Sequence, residues 1–68
     1  MKNKDLDYNQ RKIMDLFRRH NGRLSTGKIA VMSGMNYYVA EINLCKLEEL
    51  KLVKSEITKQ GMYWEMVK

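Results

Sequence analysis

Between Asn36 and Val53 the apolar residues Ala40, Leu44 and Leu47 recur at the spacing of one helical face, with Asn43 and Leu50 or Lys51 at its margins. The opposite face carries Tyr38, Glu41, Ile42, Cys45, Lys46 and Glu49, a mixture of aromatic, apolar and charged groups. A helix held by its inner face and presenting such an outer face is suited to reach into a partner. Asn36 is a good N-cap, and Gly34 can close the preceding helix in the left-handed conformation, so a tight turn joins the two. Upstream, Ile13, Leu16, Phe17 and His20 share one face of a first helix, which Asp7 opens with Gln10 as capping-box partner and Gly22 ends. Ser25 caps a second helix from Thr26 to Ser33. Gly27 weakens that helix by up to about 1 kcal/mol relative to alanine, so packing has to hold it.

Arg23 and Leu24, between the first two helices, are extended by default and can add a short strand. After the third helix the period changes from helical to alternating. Lys54 to Thr58 places Ile57 inward, and Met62, Trp64 and Met66 alternate likewise. Lys59, Gln60 and Gly61 make the hairpin loop between them, with Gly61 supplying a positive φ. Residues 1–6 are polar and read as loose. With no repeats, linkers or low-complexity segments, the chain reads as one domain over residues 1–68.

A chain of 68 residues buries only about 60% of the surface its unfolded form exposes. One cysteine allows no internal disulfide, and no cysteine and histidine set has metal spacing, so stability must come from packing or from self-association; a homodimer is expected. No apolar run approaches the roughly 18 residues of a membrane span, and the N-terminus lacks a signal-peptide core, so a cytoplasmic location is expected. The net charge of +5 is unevenly placed: residues 1–36 hold eight Lys or Arg against three Asp, and the remainder is balanced at five against five. A basic balance suits a polyanion, although many ordinary domains reach this value. Catalysis has no support, because a glycine-rich phosphate loop, a catalytic triad and a metal motif are all missing; Glu48 and Glu49 are adjacent and do not face one another as an acid and base pair. No cofactor or small-molecule ligand is indicated.

The order of elements and many residues together resemble the winged helix-turn-helix domains of bacterial and archaeal regulators or those of their viruses. Ile13-Met14-Asp15-Leu16-Phe17, Gly22, Leu24-Ser25, Ile29-Ala30, Gly34-Met35-Asn36, Leu44, Leu47-Glu48-Glu49-Leu50, Leu52-Val53 and Tyr63-Trp64-Glu65-Met66 follow that pattern in register over residues 8–67. The resemblance implies an α+β fold of three helices and a C-terminal two-stranded β-hairpin wing. It also implies double-stranded DNA as partner, with the third helix in the major groove and the wing on the backbone or minor groove.

On that basis Ser25, Thr26 and Lys28, at the start of the second helix, are placed for phosphate. Asn36, Tyr37, Tyr38, Glu41, Ile42, Cys45 and Lys46 belong to the groove face, and Lys59 and Gln60 to the wing tip. Tyr38 points outward, whereas Tyr37 lies nearer the buried face and serves equally well as a cap on the core edge. Ile42 and Cys45 suit either thymine methyls or a protein seam. Three departures stand out: the outer face lacks the arginine that reads guanine, Lys51 occupies a position where glycine commonly ends the helix, and Ser33 replaces a core leucine, leaving Met32 or Met35 to fill the space. Cys45 has no catalytic partner in sequence, which leaves a redox role open, and His20 reads as structural. The expected function is a regulator that represses by covering a promoter, since 68 residues leave no room for an effector domain. The alternative is a winged-helix module that binds protein through Tyr38, Ile42 and Cys45.

Overall fold

In the computed structural model, which describes residues 6–20 and 22–67, the chain runs α1 (Tyr8–Arg19), β1 (Leu24–Ser25), α2 (Thr26–Ser33), α3 (Tyr37–Glu49), β2 (Val53–Thr58) and β3 (Gly61–Met66). Side chains set each helix start. The Asp7 carboxylate accepts from Gln10 N at 2.9 Å while the Gln10 side chain accepts from Asp7 N at 3.2 Å, which closes the capping box. Ser25 Oγ accepts from Lys28 N and Asn36 Oδ1 from Val39 N, at 3.1 and 2.9 Å. Each satisfies an amide that the helix itself leaves unpaired.

The helices bury Ile13, Leu16, Phe17, Ile29, Leu44 and Leu47 in one cluster with Val53 and Trp64 of the sheet. The three strands are ordered β1-β3-β2 and antiparallel, so the two-stranded wing expected from the alternation carries a third strand along β3. That strand is Leu24–Ser25, one residue later than Arg23–Leu24. Leu24 pairs with Trp64, and Leu24 packs against the core while Arg23 stays outside the strand. Trp64, the buried centre of the sheet, donates its indole N–H to Thr26 Oγ1 at 2.7 Å and so ties β3 to α2.

Three expectations about burial are corrected. Leu6 is only 4% exposed and joins the core, so the loose segment does not extend to it; residues 1–5 lie outside the described residues. His20 is exposed, because α1 ends at Arg19 and the chain turns extended at His20 before another turn can bring it onto the buried face. Ile57 is 78% exposed although it alternates with the buried Val53, since that face of the wing runs out beyond the helices. At Ser33 the small side chain is buried and its hydroxyl has no partner among the described residues, while Met35 packs against the core beside it.

The end of α3 follows from Lys51. Leu52 N donates to Leu47 O at 3.0 Å and Lys51 N to Glu48 O at 2.9 Å, the paired bonds of a Schellman turn, which puts Lys51 at φ 66°. Left-handed backbone costs a residue with a Cβ about 1–2 kcal/mol. Lys51→Gly is therefore expected to raise stability by about 0.5 to 1 kcal/mol, after the extra freedom glycine gives the unfolded chain is subtracted. A urea midpoint that falls instead of rising would refute this account of the turn.

Candidate nucleic-acid interface

The outer face of α3 is open, as the helical spacing predicts. Tyr38 is 75% and Ile42 55% exposed, and Cys45 and Lys46 are exposed beside them, while Ala40, Leu44 and Leu47 are buried on the inner face. Asn43, at the margin, is buried and satisfied by donating to Val39 O at 2.8 Å. Tyr37 is half exposed and meets Tyr38 edge to face, with centroids 6.3 Å apart, so each ring limits the other's freedom in the first turn. Glu41 is half-buried. The last turn is fixed to the wing, because Glu48 Oε2 accepts from Ser55 N at 3.2 Å and from Ser55 Oγ at 2.9 Å. The helix and the hairpin are thereby held in a set relation.

Of the residues at the start of α2, Lys28 is exposed and Ser25 is half-buried, its oxygen already capping the helix. Thr26 does not join them. Its side chain is buried and its hydroxyl accepts from Trp64, so only its backbone can face a ligand. Lys59 and Gln60 stand exposed at the wing tip, in a loop closed by Gly61 at φ 131° and by Thr58 Oγ1, which donates to Gly61 O at 3.0 Å.

Charge on α3 is mainly negative, with Glu41, Glu48 and Glu49 against Lys46. Partial desolvation first, and then the charges of these three glutamates, push the Cys45 thiol above its usual range. Cys45 is therefore protonated near neutrality and a poor nucleophile, which argues against a redox role. On the outer face of the sheet, Arg23 Nη1 donates to Glu56 Oε1 at 2.7 Å and its guanidinium lies 5.3 Å from the Tyr63 ring centroid. Sequence reasoning missed this cluster, because Arg23 lies 33 residues before Glu56 and no local spacing joins them. Among the described residues no helix is long and apolar enough to cross a membrane, and no three His, Cys, Asp or Glu side chains are grouped as metal ligands.

No family model and no curated protein matches the sequence. Solved structures do match. The Zα domain of Carassius auratus PKZ, in complex with Z-DNA, superposes with a TM-score of 0.77 at 24% identity over 87% of this chain and 92% of that one. A possible transcriptional regulatory protein of Mycobacterium bovis, fragment 1–100, gives 0.79 at 27% identity over 88% of this chain. Lactococcus lactis ZitR, in a substituted form in complex with DNA, gives 0.79 at 24% identity over 94% of this chain. The chain spans 62% of the M. bovis fragment and 44% of ZitR. Three helices and a small β-wing are common to these folds, and this chain has the winged helix-turn-helix fold.

Proposed function

We propose that the chain is a sequence-specific double-stranded DNA-binding regulator that represses by occupying a promoter, as a cytoplasmic homodimer. The observation that carries this reading is the open outer face of α3, with the start of α2 and the wing tip as flanking contacts. A major groove about 12 Å wide accepts one helix. Tyr38 and Ile42 then meet sugar and thymine methyls, Lys28 and Lys59 meet phosphate, and Lys46 and Gln60 supply further polar contacts. The DNA complexes of Zα and ZitR support the partner, and the M. bovis protein supports the regulatory role. Val31, apolar and 80% exposed on α2, supports a dimer. A two-fold dimer reads two half-sites.

Fluorescence titrations of duplex DNA at several salt concentrations test the reading. Lys59→Ala is expected to flatten the plot of log affinity against log salt by about 0.9, the contribution of one neutralised phosphate. Ile42→Ala is expected to leave the slope alone and to change the preference at one base pair by about 1–3 kcal/mol. The glutamates and exposed apolar groups of α3 favour a second reading, a protein-binding module. Failure of every duplex to bind at low salt, together with loss of a protein complex in Ile42→Ala, selects it.

A further inference from the structure

The cations of the domain are not concentrated on its groove face. Where α3 sets three glutamates against Lys46, α1 carries Arg11, Lys12, Arg18 and Arg19 against Asp15 alone. These five side chains are exposed and fall within about 120° of the helix circumference, and from Arg11 to Arg19 the stripe runs about 12 Å. Its direction is fixed, since Ile13, Met14, Leu16 and Phe17 bury the other side. Tyr8 lies in the same stripe with the Lys12 ammonium 5.3 Å from its ring centroid. Arg18 Nη1 donates to Asp15 at 2.8 Å, but both side chains are about half exposed, so water screens that pair. Among the described residues Arg11 and Arg19 have no acidic partner.

We infer that this stripe is a second duplex-binding surface, which takes the phosphate backbone of a DNA segment other than the one on α3, so that a single domain bridges two duplexes. The inference rests on the DNA-binding reading for its class of partner. Two features favour DNA over protein. Duplex DNA presents a charge about every 1.7 Å, dense enough to engage every cation of the stripe, and three of the four are arginines, whose fork matches phosphate. Apart from Tyr8 the stripe offers no apolar surface, and a protein interface needs an apolar centre. The second segment is a separate one because α1 and α3 each turn an apolar face into one cluster and their exposed faces away from it, although the Lys12 ammonium lies beside the α2–α3 turn, 4.0 Å from where a Cβ on Gly34 would stand.

The test uses the full chain and two short duplexes, one labelled with a donor dye and one with an acceptor. Wild-type protein is expected to bring them together and raise energy transfer, an effect that fades roughly 40-fold in apparent affinity between about 50 and 200 mM salt if three phosphates are neutralised. Arg11→Gln, Arg18→Gln and Arg19→Gln combined is expected to abolish energy transfer, to keep binding to a single duplex, and to keep its mass by light scattering and its helical circular dichroism. Lys54→Gln, an exposed cation on the sheet, is expected to leave energy transfer intact. Undiminished transfer in the triple variant overturns the proposal. So does transfer lost together with a drop in mass, which would make the stripe a self-association surface. Single-duplex binding by wild type without transfer sinks only the second surface, whereas no binding of any duplex by wild type sinks the DNA-binding reading beneath it.

Discussion

Trp64→Ala is expected to cost about 3 to 5 kcal/mol, the largest loss of any single substitution in the chain. Trp64 is 1% exposed, sits on the central strand between β1 and β2, and belongs to the cluster that holds α1, α2 and α3. Its removal leaves a cavity at the junction of sheet and helices and strips Thr26 Oγ1 of its donor in a buried site. A domain of this length has a total stability of only about 3 to 10 kcal/mol, so the variant should be largely unfolded or close to it. Urea denaturation followed by far-ultraviolet circular dichroism checks this without relying on the missing indole. Trp64→Phe separates the two causes, because it fills most of the cavity yet still strands the hydroxyl; a loss of about 1 to 3 kcal/mol is expected from that alone. A loss below about 1 kcal/mol in Trp64→Ala would mean that the sheet does not depend on this residue.

The fold was legible because its signals are local. Asp7 with Gln10, Ser25, Gly34, Asn36 and Gly61 each fix a helix or turn through bonds spanning three to five residues, and such bonds can be read from neighbouring letters. Lys51 stood out as a departure because glycine commonly ends the helix there, and the structure holds it at a positive φ of 66°. What the sequence hid depends on distant partners. Thr26 looks like a phosphate ligand until Trp64, 38 residues later, takes its hydroxyl. Ile57 alternates correctly with Val53, yet alternation tells only which face a side chain shares and not whether anything covers that face. At His20 the helical spacing was extended one residue beyond the helix itself. For the candidate interface, angular position on α3 predicted the exposure of Tyr38, Ile42, Cys45 and Lys46, because a single helix face needs no knowledge of the rest.

Leu47→Ala is expected to cost about 2 to 5 kcal/mol, and its consequence for function should differ from that of a surface variant. Leu47 is fully buried on the inner face of α3, in its last turn, and its carbonyl accepts from Leu52 N in the turn that leads to the wing. A cavity there loosens the segment that sets α3 against β2, where Glu48 holds Ser55. Duplex affinity should then fall through the folded fraction, so that lowering temperature or adding a stabilising osmolyte recovers it. Neither treatment should recover Lys59→Ala, which is expected to stay folded and to lack only the proposed phosphate contact. The salt slope of the fraction that binds should match wild type, because no cation has been removed. If Leu47→Ala unfolds with a midpoint near wild type, or binds with an altered slope while fully folded, Leu47 is not holding α3 from beneath in the way its burial requires.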